Sequence, residues 1–301
     1  MKTENKVRIL INPNSGMGFA LDRIHGALIE HWDRPGNDLS IQFSTSKEDG
    51  QAKARRAVEE GVGRLLVIGG DGMVNTIGSV LIGTDTALGV IPAGSGNGFA
   101  RHFNTPLDIV KATEALASAS VQRIDVGFAN GQPFFVTCSL AWDAALVNIF
   151  EKSPVRGVLP YIFAGVYQFF DYTPQPFTFC IDDGEEFTID DPQVCTAANL
   201  TQYGGGAQIA PGAKADDGQL LLVTVRKRDM PLIVLMFGKL FDGTIDRLSG
   251  IHTKPFRTLT VRRQKAGPMQ LDGELIEAPA EVKITVQKRA LKVLVPQASC
   301  L

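Results

Sequence analysis

Residues 64–76 read RLLVIGGDGMVNT, an apolar run that stops at two glycines, an aspartate and a third glycine. Arg64 to Ile68 predicts a short buried strand, and a helix is expected from Met73 to Leu81. Ligands of open α/β sheets bind outside the carboxyl ends of strands, which is where Asp71 falls. An Asp-Gly pair is also a common tight turn, but three glycines around one aspartate favour a binding loop.

Two further glycine-rich loops follow apolar runs in the same half of the chain. NPNSGMG at 12–18 follows the run Val7 to Ile11, and PAGSGNG at 92–98 follows the run Thr86 to Ile91. Glycines that open a helix let an anion approach the free N–H groups of its first turn closely. The three loops together predict one phosphate-binding edge, although neither a GxGxxG dinucleotide pattern nor a Gly-Lys-Ser/Thr P-loop is present.

The order of predicted elements changes near Asp125. Before it, strands and helices alternate, which indicates an α/β domain with a mostly parallel sheet over 1–125. After it, short strands dominate, which predicts a mainly antiparallel β domain over 126–301, whose last strand is open to packing back on the first domain. Expected details are a helix start at Thr105-Pro106, one strand from Pro133 to Leu140, an Asp183-Gly184 hairpin turn, and helices near 156–170 and 231–241.

Composition excludes several classes of protein. The 301 residues carry a net charge of −2, which argues against a nucleic-acid binder. The four cysteines form no CxxC pair, so a structural zinc site is not expected, and they are typical of reduced thiols in a cytosolic protein. The longest apolar stretch, Val158 to Phe170, is too short to span a bilayer, so no spanning segment is predicted.

NPNSG, GGDGMVN and PAGSGN, in this order and spacing, resemble the diacylglycerol kinase and sphingosine kinase superfamily of the bacterial lipid kinase type. The resemblance covers nearly the whole chain and implies an NAD kinase-like fold for the first domain. It also implies ATP and Mg²⁺ as cofactors and a role in lipid metabolism or phospholipid biosynthesis. By the same resemblance, the nucleotide is contacted by Asn12, Pro13, Asn14, Ser15, Gly16, Thr45, Gly69, Gly70, Asp71, Gly72, Met73, Val74, Asn75, Gly94, Ser95, Gly96 and Asn97.

The second domain carries the other motifs of the resemblance. Leu271-Asp272-Gly273-Glu274 matches the family's catalytic DGE motif, in which either Asp272 or Glu274 is the base. Asp71 is expected to help hold the metal ion and the phosphates. Its second candidate role is that of the catalytic base. The loop from Ile209 to Gly218 matches a structural magnesium site. Its implied ligands are the Asp217 carboxylate and the backbone carbonyls of Lys214 and Gln219.

The chain departs from the family pattern at a few positions. Met73 and Thr76 replace the Thr and Glu of GGDGT followed by Asn-Glu, and Gly98 replaces an Asp of the bacterial diacylglycerol kinases. PAGSGN and Ser139-Leu140-Ala141-Trp142 are more similar to the sphingosine kinase branch. In that branch Asp143 falls in a region that contacts the lipid head group.

The function expected from sequence is therefore transfer of the ATP γ-phosphoryl group to a hydroxyl of a diacylglycerol- or sphingoid-type lipid. The alternatives are an NAD kinase-like enzyme and a lipid-binding homologue that has lost catalysis. The lipid is expected at a membrane surface, with the protein cytoplasmic and peripherally associated. Basic runs such as Arg226-Lys227-Arg228 and the apolar stretch Val158 to Phe170 are candidates for docking there, and a homodimer is open as an oligomeric state.

Overall fold

The computed structural model describes residues 6–13, 21–144 and 172–297, with the backbone alone at 21–23. The chain divides into two compact units. Unit 1 comprises Met1–Asp125 and Arg289–Leu301, and unit 2 comprises Val126–Lys288. The residues from Arg289 onward therefore belong with unit 1 and not with the rest of the C-terminal half.

Unit 1 is built on a parallel sheet with the strand order β2-β1-β3-β4. Val293 of the last strand lies parallel to Leu88 beside β4. The apolar side of α1 and the strands form a core that contains Ile24, Leu28 and Trp32. The elements are β1 Lys6–Ile11, α1 Leu21–Trp32, β2 Asp38–Phe43, α2 Lys47–Glu59, β3 Arg64–Gly69, α3 Asp71–Leu81, β4 Ala87–Pro92, α4 Gly98–His102 and α5 Ile109–Ala117.

One predicted helix start is wrong. We expected Thr105-Pro106 to begin a helix, but α5 begins at Ile109, and the Asp108 side chain accepts a hydrogen bond of 3.0 Å from the Lys111 N–H. The Thr105 N–H instead donates to the Ala100 carbonyl over 2.9 Å, which closes the end of α4. A carboxylate is a strong N-cap, so it decides where the helix starts.

Unit 2 consists mainly of antiparallel strands. One six-stranded sheet has the order β14-β13-β10-β7-β16-β17, and β15 pairs with β8, which pairs with β9. Both predicted fold classes are therefore confirmed. The strands are β5 Ser120–Ala129, β6 Gln132–Phe134, β7 Thr137–Ser139, β8 Phe177–Ile181, β9 Phe187–Ile189, β10 Pro192–Ala198, β11 Gln202–Gly204, β12 Ala207–Gln208, β13 Leu220–Arg226, β14 Ile251–Phe256, β15 Thr258–Arg263, β16 Gly267–Leu271, β17 Glu274–Ala278 and β18 Glu281–Val295, with both ends of unit 2 falling inside β5 and β18.

Three further predictions for unit 2 need correction. The single strand expected from Pro133 to Leu140 is broken between β6 and β7. The helix expected at 231–241 is a six-residue helix, α6, at Met230–Leu235, followed by a 3₁₀ turn at Phe237–Leu240. The turn after β8 is centred on Asp182 and Asp183, both with positive φ, one residue earlier than expected. The helix expected near 156–170 lies outside the described residues.

Within the described ranges, no helix is both long and apolar enough to cross a membrane.

Candidate active site

The carboxyl ends of the parallel strands bring the predicted loop residues of unit 1 to one edge. Asn12 follows β1 and donates its N–H to Ile68 of β3 over 3.1 Å, and Ala93 after β4 donates to Gly69 over 3.0 Å. The loop containing Thr45 follows β2 at the same edge, because β2 is parallel to β1. Pro13 is exposed beside Asn12, whereas Asn14, Ser15 and Gly16 lie outside the described residues.

Two glycines hold the second and third loops in backbone contact. A Cβ added to Gly94 would lie 2.6 Å from the Gly70 Cα, and one added to Gly70 would lie 3.1 Å from the Gly94 Cα. Neither position has room for a side chain, because the obstacle is backbone and not a movable side chain. A Cβ on Gly69 would meet Met73 Sδ at 2.8 Å, so Met73 fills the space beside β3.

Asp71 links the second loop to the third. Its carboxylate accepts hydrogen bonds from the backbone N–H of Gly98 at 2.9 Å and of Phe99 at 3.0 Å, which are the first residues of α4. Burial raises the pKa of the Asp71 carboxyl, while these two N–H donors act in the opposite direction. Asp71 is thus an anion already occupying the N-terminus of α4, a role that the sequence did not predict.

The first turn of α3 is the other helix end at this edge. α3 begins at Asp71 with Gly70 as its N-cap, and no side chain caps it. Gly72, Met73, Val74 and Asn75 all lie in this helix, while Ser95 is exposed between Gly94 and Gly96. The free N–H groups and partial positive charge of a helix N-terminus suit a phosphate.

Hydrogen bonds fix the third loop and one of the sequence departures. The Asn97 side chain accepts from the Gly94 N–H at 2.9 Å and donates to the Gly94 carbonyl at 2.7 Å, and Asn97 itself has a left-handed φ of 52°.

Thr76, which replaces a Glu, is buried and donates its hydroxyl to the Gly72 carbonyl at 2.9 Å. Thr76 is therefore satisfied inside its own helix.

Thr45 is exposed at the start of α2 and belongs to a local capping network. Both its N–H and its hydroxyl contact Asp49 Oδ2, at 2.9 and 3.2 Å. The Lys53 ammonium, 2.6 Å from the same oxygen, holds the pKa of Asp49 below its usual value. Asp49 thus orients Thr45 at the edge where the glycine loops meet the solvent.

Asp272 of unit 2 sits at the tip of the β16–β17 hairpin and is almost fully buried. Its carboxylate accepts three backbone N–H bonds from the break between β6 and β7: Phe135 at 2.8 Å, Val136 at 2.7 Å and Thr137 at 3.2 Å. These bonds explain why the predicted strand is interrupted there. The three bonds tie the segment 135–137 to the tip of the β16–β17 hairpin.

Glu274 lies two residues further along the same hairpin. It pairs with Leu271 across the turn and is half-buried. Asp272 and Gly273 both have positive φ, at 50° and 89°, which gives a tight two-residue turn. The Asp272 contacts therefore fix the position of the first residue of β17, Glu274.

A chain of buried hydrogen bonds leads from this turn into unit 2. Gln270 accepts from the Gly273 N–H at 2.8 Å and donates to the Ser139 hydroxyl at 3.0 Å. Ser139 Oγ lies 3.1 Å from Thr196 Oγ1, and Thr196 donates to Asp143 Oδ2 at 2.5 Å. The chain ends on the Asp143 carboxylate, which accepts from Thr196.

Asp143 is buried among internal partners. Besides Thr196, it accepts from the Tyr203 hydroxyl at 2.9 Å and from the Ala141 N–H at 3.1 Å. Burial raises the pKa of Asp143, and the hydrogen bonds from Thr196 and Tyr203 oppose that shift. Asp143, which the resemblance places near the lipid head group, is 6% exposed in the polar interior of unit 2.

The predicted magnesium loop is a surface turn. Asp217 is exposed and accepts the Gln219 N–H on one oxygen at 3.0 Å, and Lys214 is also exposed. Among the described residues, no three His, Cys, Asp or Glu side chains form a metal cluster. One carboxylate with backbone carbonyls and water is a donor set that Mg²⁺ accepts, so these residues fit the ion.

Sequence reasoning missed the residues that hold the hairpin. Gln270 lies 74 positions after Thr196 and 67 after Tyr203, and none of the three carries a local motif. Arg263 is also buried and donates to the backbone carbonyls of Gly267, Pro268, Ala278 and Pro279, at the end of the β16–β17 hairpin that lies opposite the turn. Only pairing of the strands brings these groups together.

The chain is similar to known proteins along its whole length. A model of the diacylglycerol kinase catalytic domain matches residues 6–129, and one of the YegS C-terminal NAD kinase beta sandwich-like domain matches residues 137–295. A diacylglycerol kinase of Mycobacterium tuberculosis is 31% identical over 300 residues, covering 97% of this chain and 96% of that protein. A YegS-like lipid kinase of Chromohalobacter salexigens is 33% identical over 199 residues, covering 64% and 63%.

Solved structures share the fold. A diacylglycerol kinase from Bacillus anthracis str. Sterne superposes with a TM-score of 0.74 at 18% identity, covering 99% of this chain and 98% of that one. A second structure from the same organism gives 0.79 at 21%, covering 99% of each. At these identities the likeness is one of fold, whereas the sequence relatives and the domain models carry the assignment. The chain belongs to the bacterial family of diacylglycerol kinases and YegS-like lipid kinases.

Proposed function

We propose that this chain transfers the γ-phosphoryl group of ATP to the hydroxyl of a lipid, with diacylglycerol as the first candidate acceptor. The observation that carries the proposal is the contact between Gly70 and Gly94, which leaves backbone and no side chain at the edge beside the first turn of α3. Backbone N–H groups at a helix N-terminus are well suited to bind phosphates, and no side chain obstructs them here. Relatives named diacylglycerol kinase support the acceptor.

The phosphates are proposed to lie at the N-terminus of α3, with the Gly94–Gly96 backbone beside them. The N-terminus of α4 is a weaker candidate, because the Asp71 carboxylate already accepts its N–H groups. Asp71 then acts as a positioning residue that ties the two glycine loops together. Exposed Thr45, held by Asp49, is a candidate contact for the rest of the nucleotide.

Glu274 is proposed as the general base, and Asp272 as the group that positions it. Asp272 accepts three backbone N–H bonds, and protonating it as a base would remove the negative charge that strengthens all three. Glu274 is half-buried and follows Gly273 on the same turn, so it is the more accessible carboxylate of the motif. Loss of a general base typically slows a reaction by about 10²–10⁴-fold.

Mg²⁺, when bound with the nucleotide, would neutralise negative charge on the phosphoryl group during transfer. A second, structural ion is proposed at Asp217, with the carbonyls of Lys214 and Gln219. The exposed Asp217 carboxylate and its tight turn at Gly218 support this position.

Diacylglycerol is preferred to a sphingoid base on one observation. Asp143 was the residue expected to pair with a sphingoid ammonium, and it is buried with both oxygens accepting internal hydrogen bonds. Asp143 is therefore not proposed as the cation partner of that lipid. A sphingoid base and ceramide remain arms of the test.

Incubating the full chain with γ-labelled ATP and separating products tests the proposal. The acceptors are diacylglycerol, a sphingoid base, ceramide and NAD. Label in phosphatidic acid supports the proposal, and label in NAD phosphate alone favours the NAD kinase alternative. Lipid binding with no label transferred to any acceptor favours a homologue that has lost catalysis.

A further inference from the structure

An exposed apolar surface covers residues 232–241 of unit 2, which belong to none of the loops described above. Leu235 is 77% exposed, far more than a large apolar side chain normally is. Large apolar residues usually occur singly on protein surfaces, so a run of them indicates an interaction surface. Six of the eleven exposed large apolar side chains in the described ranges fall in these ten positions: Leu232, Val234, Leu235, Met236, Phe237 and Phe241.

The fold does not need these side chains. Met230, Ile233 and Ile245 hold the inner side of the segment in a buried cluster. Phe237 and Phe241 touch only edge to face on the outside, with ring centroids 5.7 Å apart. The remaining exposed large apolar residues are scattered between Ile29 and Phe187. The exposed apolar side chains are therefore clustered in the 232–241 surface, and the buried side chains of the same segment fix its backbone.

The charge around the 232–241 surface is opposite in sign to that of the chain. Residues 226–247 contain five basic and three acidic side chains, a net +2, whereas the whole chain carries −2. Arg228 and Arg247 are exposed on either side of the apolar run. Cationic side chains flanking an apolar surface match an anionic bilayer, where each contributes about 1 kcal/mol near the headgroups.

We propose that the 232–241 surface docks on an anionic lipid bilayer, with Leu235 and Phe237 entering the acyl region and Arg228 and Arg247 meeting headgroup phosphates. The α6 helix has six residues, so it lies on the bilayer and does not cross it. The proposal extends the proposed function by naming where a lipid-modifying enzyme meets its substrate's membrane.

Charge distinguishes a bilayer from a second copy of this chain. A two-fold contact through the 232–241 surface would bring two net positive patches together, and like charges facing one another disfavour such a contact. An anionic bilayer instead attracts the net positive charge of this surface. The two occupants therefore give different results with and without vesicles.

Vesicle co-sedimentation of the full chain tests the proposal. The vesicles are phosphatidylcholine with or without phosphatidylglycerol, and the expected result is tighter binding when phosphatidylglycerol is present. The double variant Leu235→Ser/Phe237→Ser should bind at least about tenfold more weakly, since it removes two inserted apolar side chains. The matched control is Leu107→Ser/Val121→Ser, which removes two apolar side chains of 45% and 51% exposure elsewhere and should bind like wild type.

A pair of charge-reversal variants measures the electrostatic contribution to vesicle binding. Arg228→Glu/Arg247→Glu should abolish the preference for phosphatidylglycerol, while Arg34→Glu/Arg55→Glu, exposed in unit 1, should keep most of it. Equal binding by the Leu235→Ser/Phe237→Ser variant and wild type would overturn the proposal. So would a wild-type dimer, seen without vesicles, that this variant dissociates.

Binding and catalysis are read separately. Turnover of a short-chain, water-soluble diacylglycerol by the Leu235→Ser/Phe237→Ser variant should match wild type, because no interface is needed. If wild type binds anionic vesicles through this surface but phosphorylates no lipid, the docking surface stands and the proposed function fails. If it phosphorylates the soluble lipid but ignores vesicles, the docking surface fails alone.

Discussion

Replacing Asp272 by Asn and Glu274 by Gln should damage the protein in two different ways. Asn keeps the size of Asp272 but offers one acceptor oxygen and one NH₂ donor. If the oxygen keeps the N–H groups of Val136 and Thr137, the NH₂ group faces the Phe135 N–H, now 2.8 Å from an acceptor. One charge-assisted bond is lost and a buried donor is left unsatisfied.

The cost follows from burial. An unsatisfied buried donor costs about 1–3 kcal/mol, and the charged acceptor is lost as well, so we expect Asp272→Asn to lose about 2–4 kcal/mol of unfolding free energy. At roughly 2–4 °C per kcal/mol, the melting temperature should fall by about 4–16 °C. Activity should fall too, because the turn that holds Glu274 is loosened.

Glu274→Gln should lose activity without losing stability. Glu274 is only half-buried and Gln matches its size, so the melting temperature of the Glu274→Gln variant should stay close to that of wild type. The value of kcat should fall by about 10²–10⁴-fold with little change in the KM for ATP. Both variants are compared by thermal unfolding and by steady-state kinetics in the same buffer.

Two results would refute the assignment of roles. If Asp272→Asn keeps the melting temperature of wild type and loses as much kcat as Glu274→Gln, Asp272 is the general base. Full activity of Glu274→Gln would remove Glu274 from the chemistry altogether.

Three other substitutions have defined expected outcomes. Gly94→Ala should weaken ATP binding at least about tenfold in calorimetry, because its Cβ meets the Gly70 backbone at 2.6 Å, while Gly26→Ala, with open space around it, should not. Asp217→Ala should remove the rise in melting temperature that Mg²⁺ gives wild type, and an equal rise in both proteins would place the ion elsewhere. Burial lowers the pKa of His102 to about 4, so on acidification the unfolded state takes up this proton before the folded state does. The free energy of unfolding should therefore fall as the pH drops from about 6.5 toward 4. Between pH 7 and pH 5 the His102→Gln variant should lose less unfolding free energy than wild type, and equal losses in the two proteins would contradict this.

Local pattern was sufficient for the parts of the fold that depend on neighbouring residues. The apolar run from Arg64 and the glycines after it predicted β3, the loop and α3 nearly to the residue. Parallel pairing then brought the loops after β1, β3 and β4 to one edge, as expected. Such features follow from chain order and from the direction of parallel strands.

Contacts between distant residues decided what local pattern missed. Asp71 looked like a phosphate or metal residue, yet its carboxylate reaches Gly98 and Phe99, which are 27 and 28 positions away. Asp272 interrupts a strand more than 130 positions earlier, at 135–137. No periodicity encodes which backbone N–H groups a carboxylate will meet, so these roles appear only once the strands are paired.

The most direct measurement follows the label from ATP into diacylglycerol presented in vesicles, with ATP labelled at the γ-phosphate in one reaction and at the α-phosphate in the other. We predict that γ-label alone appears in phosphatidic acid with wild type, and that Glu274→Gln gives about 10²-fold less or lower. Absence of γ-label from every lipid with folded wild-type protein, or transfer to NAD alone, would contradict lipid phosphorylation by this chain.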